Sequence, residues 1–347
     1  MARAVSGTLL AAQQAPKRKP YTRVVINSVD YSSRVLFIEH HEEAYRDYAT
    51  IILDNHDRIF DFVSLSGYRF RIGYGLTTGA GSEYYETADL WVKTQSKVSS
   101  PGQLVCQLYC EGQWMYMRDQ RMMALLNELA VGDPDKVGAD PYFIGTFEKT
   151  KTVYELIESV IENAMGWTLN AFAGTQDGII NSFKPVYSLD GLPNAADVLG
   201  GDEIGLIRMT KCYLRPKANL TWDIVFPQDT DAVNEYYYSN QTPQFYEFSE
   251  NDALVVPNRV VVFADYDPDA PEEPIIVGDT GAYSGVYDEV LHFVLAPTID
   301  NQTDADNLAA AVLTRFKAEE LAGYLIVPHD SRVELYDRVK VEDWRGV

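Results

Sequence analysis

The sequence is poor in cations, cysteine, histidine and long apolar runs, and each shortage excludes something. Its 347 residues carry 29 Lys and Arg against 51 Asp and Glu, a formal net charge of −22. A phosphate-facing basic patch is therefore excluded as the basis of a DNA- or RNA-binding function. Acidity does not exclude a position beside a duplex, because an acidic wall repels phosphates and lets DNA pass without sticking. The three cysteines, Cys106, Cys110 and Cys212, are too few and too odd in number for a disulfide framework. They read as reduced, small, buried side chains, with Cys106 and Cys110 on one face of a strand. No apolar run reaches the roughly 18–20 residues that span a bilayer. The first 20 residues place most of their charge (Lys17, Arg18, Lys19) after a weak apolar stretch, the reverse of a signal peptide. They are expected to be a flexible arm, able to order on a neighbouring subunit.

Catalytic and ligand motifs are scarce too. There is no Gly-x-Ser-x-Gly, no His-Glu-x-x-His and no convincing Cys/His pair. His40 and His41 are adjacent, so a strand sends them to opposite faces, and with His56 they make a poor metal set. Gly73 to Gly79 is glycine-rich but lacks the Lys-Ser/Thr pair and the following helix of a phosphate loop, and reads as a turn. Asp265, Asp267 and Asp269 sit in an acidic, proline-rich loop that is expected to be solvated. No catalytic, cofactor-binding or metal-binding residue is assigned, and no cofactor is expected.

What is abundant is tyrosine, with 23 copies against 14 Phe and 5 Trp. Tyrosine suits pleated, half-buried surfaces and interfaces. Residues 21–115 read as β throughout. Strands are expected at 21–29, 35–41, 48–55, 63–66, 68–74, 89–94 and 103–111, with Ser99-Ser100-Pro101-Gly102 a turn before the last. That many short strands without helical period argue for a closed barrel or sandwich. The texture changes at 116. Helices are expected at 117–131 (Met122, Leu125, Leu126 and Leu129 on one face), at 151–165 capped by Thr150 or Thr152, and near 195–199. The β pattern returns with strands at 207–214, 220–226, 255–265, 275–277 and 292–295, and aromatic clusters at Tyr236–Tyr238 and Phe245–Phe248. A last helix is expected at 303–322, with Asp304 and Asp306 in its first turn, before strands at 324–327, 332–336 and 338–341. The fold class is thus α+β, mainly β: two β-barrel-like domains with a small inserted α/β module. The expected boundaries are an arm 1–20, a first barrel 21–115, a module 116–206 and a second barrel 207–347 carrying insertions at about 229–290.

Three stretches resemble a known family. Residues 319–343 run Glu319-Glu320-Leu321-Ala322-Gly323-Tyr324-Leu325-Ile326-Val327-Pro328, a turn, then Val333-Glu334-Leu335-Tyr336-Asp337-Arg338-Val339-Lys340-Val341-Glu342-Asp343. This is similar to the closing segment of bacteriophage tail hub and baseplate hub proteins, where a helix, a small residue, a strand and an Asp-x-Val strand follow in order. Ser64 to Gly75 resembles that family's first-barrel strand pair, and Thr152 to Ile161 the first helix of its α/β module. The resemblance covers most of the chain in layout, but the arm and 229–290 match nothing in it. It implies a non-enzymatic hub, trimeric in the family's manner: six barrels in a pseudo-six-fold ring joining the tail tube to the tip or spike. The implied partners are further copies, the distal tail or tube protein, the tape measure, and tip, spike or fibre proteins. DNA would only pass through an acidic lumen, and the protein would belong to the virion. Two other functions compete: a carbohydrate-binding or wall-hydrolysing tail β-domain, and a hexameric distal-tail or tube subunit.

Overall fold

A computed structural model describes residues 5–119, 146–148, 151–172, 177, 179–188, 194–201, 205–228, 230–251, 257–264, 276–280, 289–296, 299, 301–320 and 322–345. The first region is one sheet built from hairpins. Its strands are β1 (Pro20–Ile26), β2 (Val29–Asp30), β3 (Val35–Glu43), β4 (Arg46–Asp54), β5 (Arg69–Thr78), β6 (Gly81–Glu86), β7 (Leu90–Ser100) and β8 (Gln103–Gly112). They pair in the order β2-β1-β5-β7-β8-β4-β3, with β6 also on β5. Turn chemistry sets the register. Asn27 and Ser28 both take left-handed φ between β1 and β2, as a two-residue hairpin turn of the primed kind requires. Pro101-Gly102 joins β7 to β8, and Gly102 has φ +80, the third-position conformation of a type II turn.

Period two decides which side chains turn inward. Ala49, Ile51 and Leu53 of β4 are fully buried and meet Val24 and Ile26 of β1, Ile72 of β5, Val92 of β7, and Cys106, Leu108 and Cys110 of β8. The sheet therefore wraps round its own core. Each such aliphatic side chain contributes about 1.5–3 kcal/mol by leaving water. Of the expected closed barrel or sandwich, closure is not reached among the described residues: the hydrogen-bonded path ends at β2 and β3. Both edges have a local reason. The Val24 N–H donates to Ser32 Oγ (2.9 Å) and its carbonyl accepts from Tyr31 N–H (2.8 Å), so that edge of β1 is satisfied locally. On the other edge, β3 is bulged between Val35 and Phe37. Residues 63–66, expected as a strand, form a loop that buries Leu65. The strand β6 went unread because Gly81 to Glu86 lacks apolar alternation.

Beyond Gly112 come α2 (Gln113–Asp119), β9 (Thr146–Glu148), α3 (Val153–Glu158) continuing as a π-helical turn Ser159–Ala164, β10 (Thr168–Leu169), β11 (Val186–Ser188) and α4 (Ala195–Gly200). Then follow β12 (Tyr213–Lys217), β13 (Thr221–Val225), β14 (Glu235–Tyr238), β15 (Glu247–Asn251), β16 (Arg259–Ala264), β17 (Ile276–Asp279), β18 (Leu291–Ala296), α5 (Gln302–Glu320), β19 (Ala322–Ile326) and β20 (Val339–Glu342). These strands form small sheets: β10-β13-β12, β11-β9, β14-β20, β15-β19 and β17-β16-β18. Of the two expected caps, Thr152 is the one used, and it caps α3 through a full capping box with Glu155. The helix expected at 117–131 is observed only as far as Asp119; its stripe, and the acidic loop at 265–274, lie outside the described residues. Residues 206–209 form a 3-10 turn where a strand was expected, and 331–337 are turns rather than a strand. One buried cluster runs from Trp114 through Trp167 and Trp222 to Val312, drawing on α3, α4, β16, β18 and α5 together. No helix among the described residues is long and apolar enough to cross a membrane. The described chain is mainly β with several sheets and no closed barrel.

Within the expected arm, residues 7–14 are helical and dock on the rest of the chain. Ser6 Oγ accepts from Leu9 N–H and starts the helix α1 (Gly7–Gln14). Leu9 and Gln13 are buried, and Gln13 donates to Ser331 Oγ (3.1 Å) and accepts from Arg332 Nε (3.1 Å). An apolar Leu with a polar Gln four residues on gave little warning that this turn docks on the C-terminal segment.

Candidate functional site

The open seam of the first sheet is the most distinctive surface. Pairing with β4 sends Ile38, His40 and Glu42 of β3 inward, opposite Ile51, Ala49 and Asp47, and sends Phe37, Glu39, His41 and Glu43 outward. Across the seam stands Tyr74 of β5. Its ring lies 6.0 Å from that of His40 and 4.6 Å from that of His329. A cavity of about 890 Å³ runs along Val35–Ile38 and is walled by Pro20–Thr22, Tyr74–Leu76, Thr242, Gln244, Tyr246, Pro328 and His329. A second, of about 400 Å³, continues it along Ile38, His40 and Glu42 to Tyr85, Ser331 and Val333. The two share Ile38, Tyr74 and His329, so a single trough follows β3.

Its two ends differ chemically. Leu36 and Phe37 are 57% and 51% exposed at one end. At the other, His40 and Glu42 line it, while on the outer face of β3 His41 Nε2 lies 3.2 Å from Glu39 and Nδ1 3.8 Å from Glu43, with Tyr48 stacked 4.5 Å away. Burial, with a smaller contribution from His41, pulls the His40 imidazole down to about 4, so it is neutral at pH 7. Burial pushes the Tyr74 phenol well up, and Glu42 adds to that. Burial also raises the Asp47 carboxyl to about 7, opposed by the Gln113 and Trp114 N–H groups that donate to it.

Behind the trough, charged side chains bind the C-terminal segment to the rest. Buried Arg332 pairs with Glu235 of β14 and with Asp330 (2.5 Å). Arg215 of β12 lies 3.2 Å from Asp337 and 3.4 Å from Asp223, while Lys217 reaches Glu334 at 2.5 Å. At the other junction Tyr45, at the β3–β4 hairpin with φ +62, leaves the first sheet and enters the second core. Its ring meets Trp114 edge-on at 5.2 Å, and its hydroxyl accepts from Arg315 of α5 (2.9 Å). A Cβ on Gly200 would stand 2.5 Å from that ring, so the α4 end needs glycine there. Arg315 also donates to the carbonyls of Ile207, Thr210 and Cys212, which explains why 206–212 turns instead of pairing as a strand.

Among the described residues, those singled out in the sequence are not brought together as a reaction centre; Asp265, Asp267 and Asp269 lie outside the described residues. His40 and His41 face opposite sides as expected, and His56 is exposed, 2.6 Å from Asp54 in a local turn. Among the described residues, no group of three or more His, Cys, Asp or Glu is placed to hold a metal ion. Cys106, Cys110 and Cys212 are free and buried, and burial raises their thiols, Cys106 to about 11, the reverse of what a nucleophile needs. Gly73 to Gly79 is strand and hairpin, not a phosphate loop. Tyr237 and Phe245 are core, whereas Tyr236 and Tyr238 stack on the outside at 6.3 Å and Tyr246 lines the trough. Sequence reasoning did not mark the trough. Its signal was available in Val35-Leu36-Phe37-Ile38, four apolar residues in a row where a half-buried strand alternates.

No protein-family model matches the sequence, and no curated protein resembles it closely enough to match. Solved structures do match. The tail protein from Neisseria meningitidis MC58 superposes with a TM-score of 0.59 at 11% identity, covering 94% of this chain and 87% of that one. The 43 kDa tail protein of prophage MuSo2 from Shewanella oneidensis gives a TM-score of 0.59 at 9% identity, covering 93% and 89%. The chain therefore has the fold of these tail proteins over nearly its whole length, with few residues held in common.

Proposed function

We propose that the chain is a structural, non-enzymatic subunit of a phage-type tail, and within it the hub: a ring-forming protein, trimeric, that joins the tube to the tip or spike. The observation that carries this reading is the end-to-end likeness to two tail proteins, 94% and 93% of this chain with most of each neighbour included. A likeness confined to one β-domain would have suited a sugar-binding or hydrolytic module instead. The open seam, the exposed apolar strand positions and the acidic charge suit an assembly subunit that stands beside DNA. In this reading residues 21–115 and 207–347 supply the ring's two β-units, and 116–206 the module between them. Carboxylates face an inner channel, the partners are neighbouring tail proteins, and the site of action is the virion.

Single-particle imaging of the particle that contains this chain tests the proposal. A three-fold ring at the tube's end, with carboxylates lining the channel, is the expected result. A six-fold ring would make it a distal-tail or tube subunit, and a basic lining would remove the DNA-channel role.

A further inference from the structure

We infer that the trough beside β3 is a strand-acceptor site: an extended segment of a different polypeptide adds to the free edge of β3, with an apolar side chain beside Phe37 and basic side chains beside Glu39 and Glu43. The inference goes beyond the tail reading and rests on the seam alone. Among the described residues the backbone of β3 pairs with β4 and with no other strand. Nine residues of strand edge extend for about 30 Å at 3.3–3.4 Å per residue. Such an edge is a template for pairing unless it is guarded. The β3 edge is guarded along only part of its length: inward His40 and Glu42 protect one half, while the half with Leu36 and Phe37 presents apolar side chains to water. Among the described residues no strand closes the seam, and Val24 of β1 is already bonded to Tyr31 and Ser32.

Charge selects the occupant. On the outer face the order is Phe37, Glu39, His41, Glu43, so a strand with an apolar residue followed by Lys or Arg at alternate positions meets complementary neighbours. Pairing β3 with a second copy of itself would crowd Glu39, Glu42 and Glu43 of both copies onto one short ladder, which disfavours self-association through this edge. An anionic nucleic acid is disfavoured by the same carboxylates. A small molecule could fill the 890 Å³ space but would leave the strand edge unpaired.

The test uses the full chain and a fluorescein-labelled nine-residue peptide that alternates valine and threonine, with lysine at two alternate outward positions. It is made in both chain directions and followed by fluorescence anisotropy. Saturable binding is expected, weakened about tenfold when glutamate replaces both lysines and lost when alternate backbone nitrogens are methylated. Phe37→Lys should abolish binding. Glu39→Lys with Glu43→Lys should reverse the preference towards the glutamate peptide, with circular dichroism verifying that the variant is folded. Equal binding of lysine, glutamate and N-methylated peptides would overturn the inference, as would absence of binding. So would concentration-dependent dimerisation that Phe37→Lys removes, since the occupant would then be a second copy.

Discussion

The first sheet and the region after it reach order by different routes. In the first, neighbours in space are mostly neighbours in sequence: β1 with β2, β3 with β4, β5 with β6 and β7 with β8 are hairpins. In the second, Tyr236 of β14 pairs with Lys340 of β20, and Phe248 of β15 with Leu325 of β19. Bringing such distant segments together costs more loop-closure entropy than a two-residue turn. The difference is visible in the fastenings. The first sheet wraps over aliphatic side chains, whereas the second region adds buried guanidiniums, Arg332 and Arg215, and the carbonyl-binding Arg315, at the places where far segments meet. Ion pairs of this kind add little net stability when intact, but removing one partner strands a buried charge.

The largest way to break the contrast is Arg332→Met. Glu235 and Asp330 would be left buried without their cation, at a cost of about 3–5 kcal/mol. Hydrogen exchange should rise in 7–14, 235–238 and 328–342 while β7 and β8 stay protected. Unpaired buried carboxylates have raised pKa values, so the variant should recover stability relative to wild type as pH falls. Uniform loss across both regions would erase the distinction. Next, Arg315→Met orphans three carbonyls and the Tyr45 hydroxyl, for about 3 kcal/mol. Because Tyr45 carries the junction, its effect should reach the β3–β4 hairpin as well as 206–212. Exchange confined to 206–212 would mean that Tyr45 is not the link.

Asp47 sharpens the comparison through pH. Its folded pKa of about 7 lies above the ordinary 3.8, so between these values the unfolded chain releases a proton that the folded one keeps. Stability from this group is therefore fully present below about pH 4 and declines up to pH 7, by roughly 2–4 kcal/mol. In Asp47→Asn that decline should be absent, so the stability difference between wild type and variant should itself fall as pH rises from about 4 to 7. A pH-independent difference would mean the carboxyl stays ionised on its two N–H donors. The smallest effect is expected from Gly102→Ala, about 1 kcal/mol, because alanine at φ +80 strains the β7–β8 turn. A larger loss would mean that this hairpin carries more of the sheet than its position suggests.

Legibility followed the same division. The β7–β8 turn, the strand β4 and the cap of α3, expected at Thr150 or Thr152 and found at Thr152, all rest on contacts within a few residues, and these were readable locally. The helix expected from 303 is observed at Gln302–Glu320, and of its apolar face Leu308, Ala311 and Val312 are buried and Phe316 half-buried. Three readings failed for non-local reasons. Residues 206–212 turn because Arg315 takes their carbonyls, residues 331–337 turn to deliver Arg332, Glu334 and Asp337 into buried ion pairs, and residues 7–14 fold because Gln13 finds Ser331. The trough fell between these cases. Its apolar residues were visible in the sequence, but nothing local told that β3 would be an edge or that Tyr74 and His329 would face it.

Alternation, turn residues and caps were enough to make the chain mainly β, to place most first-region strands and to set which of their side chains point inward, because these depend on backbone sterics and on neighbours a few positions apart. Whether the first sheet closed, which edge stayed open, which distant strands met and which arginines were buried were decided only by the folded whole. The distant pairings and the buried arginines depend on satisfying polar groups between segments far apart in sequence, as Arg215 does with Asp337, and no local pattern encodes such a partner.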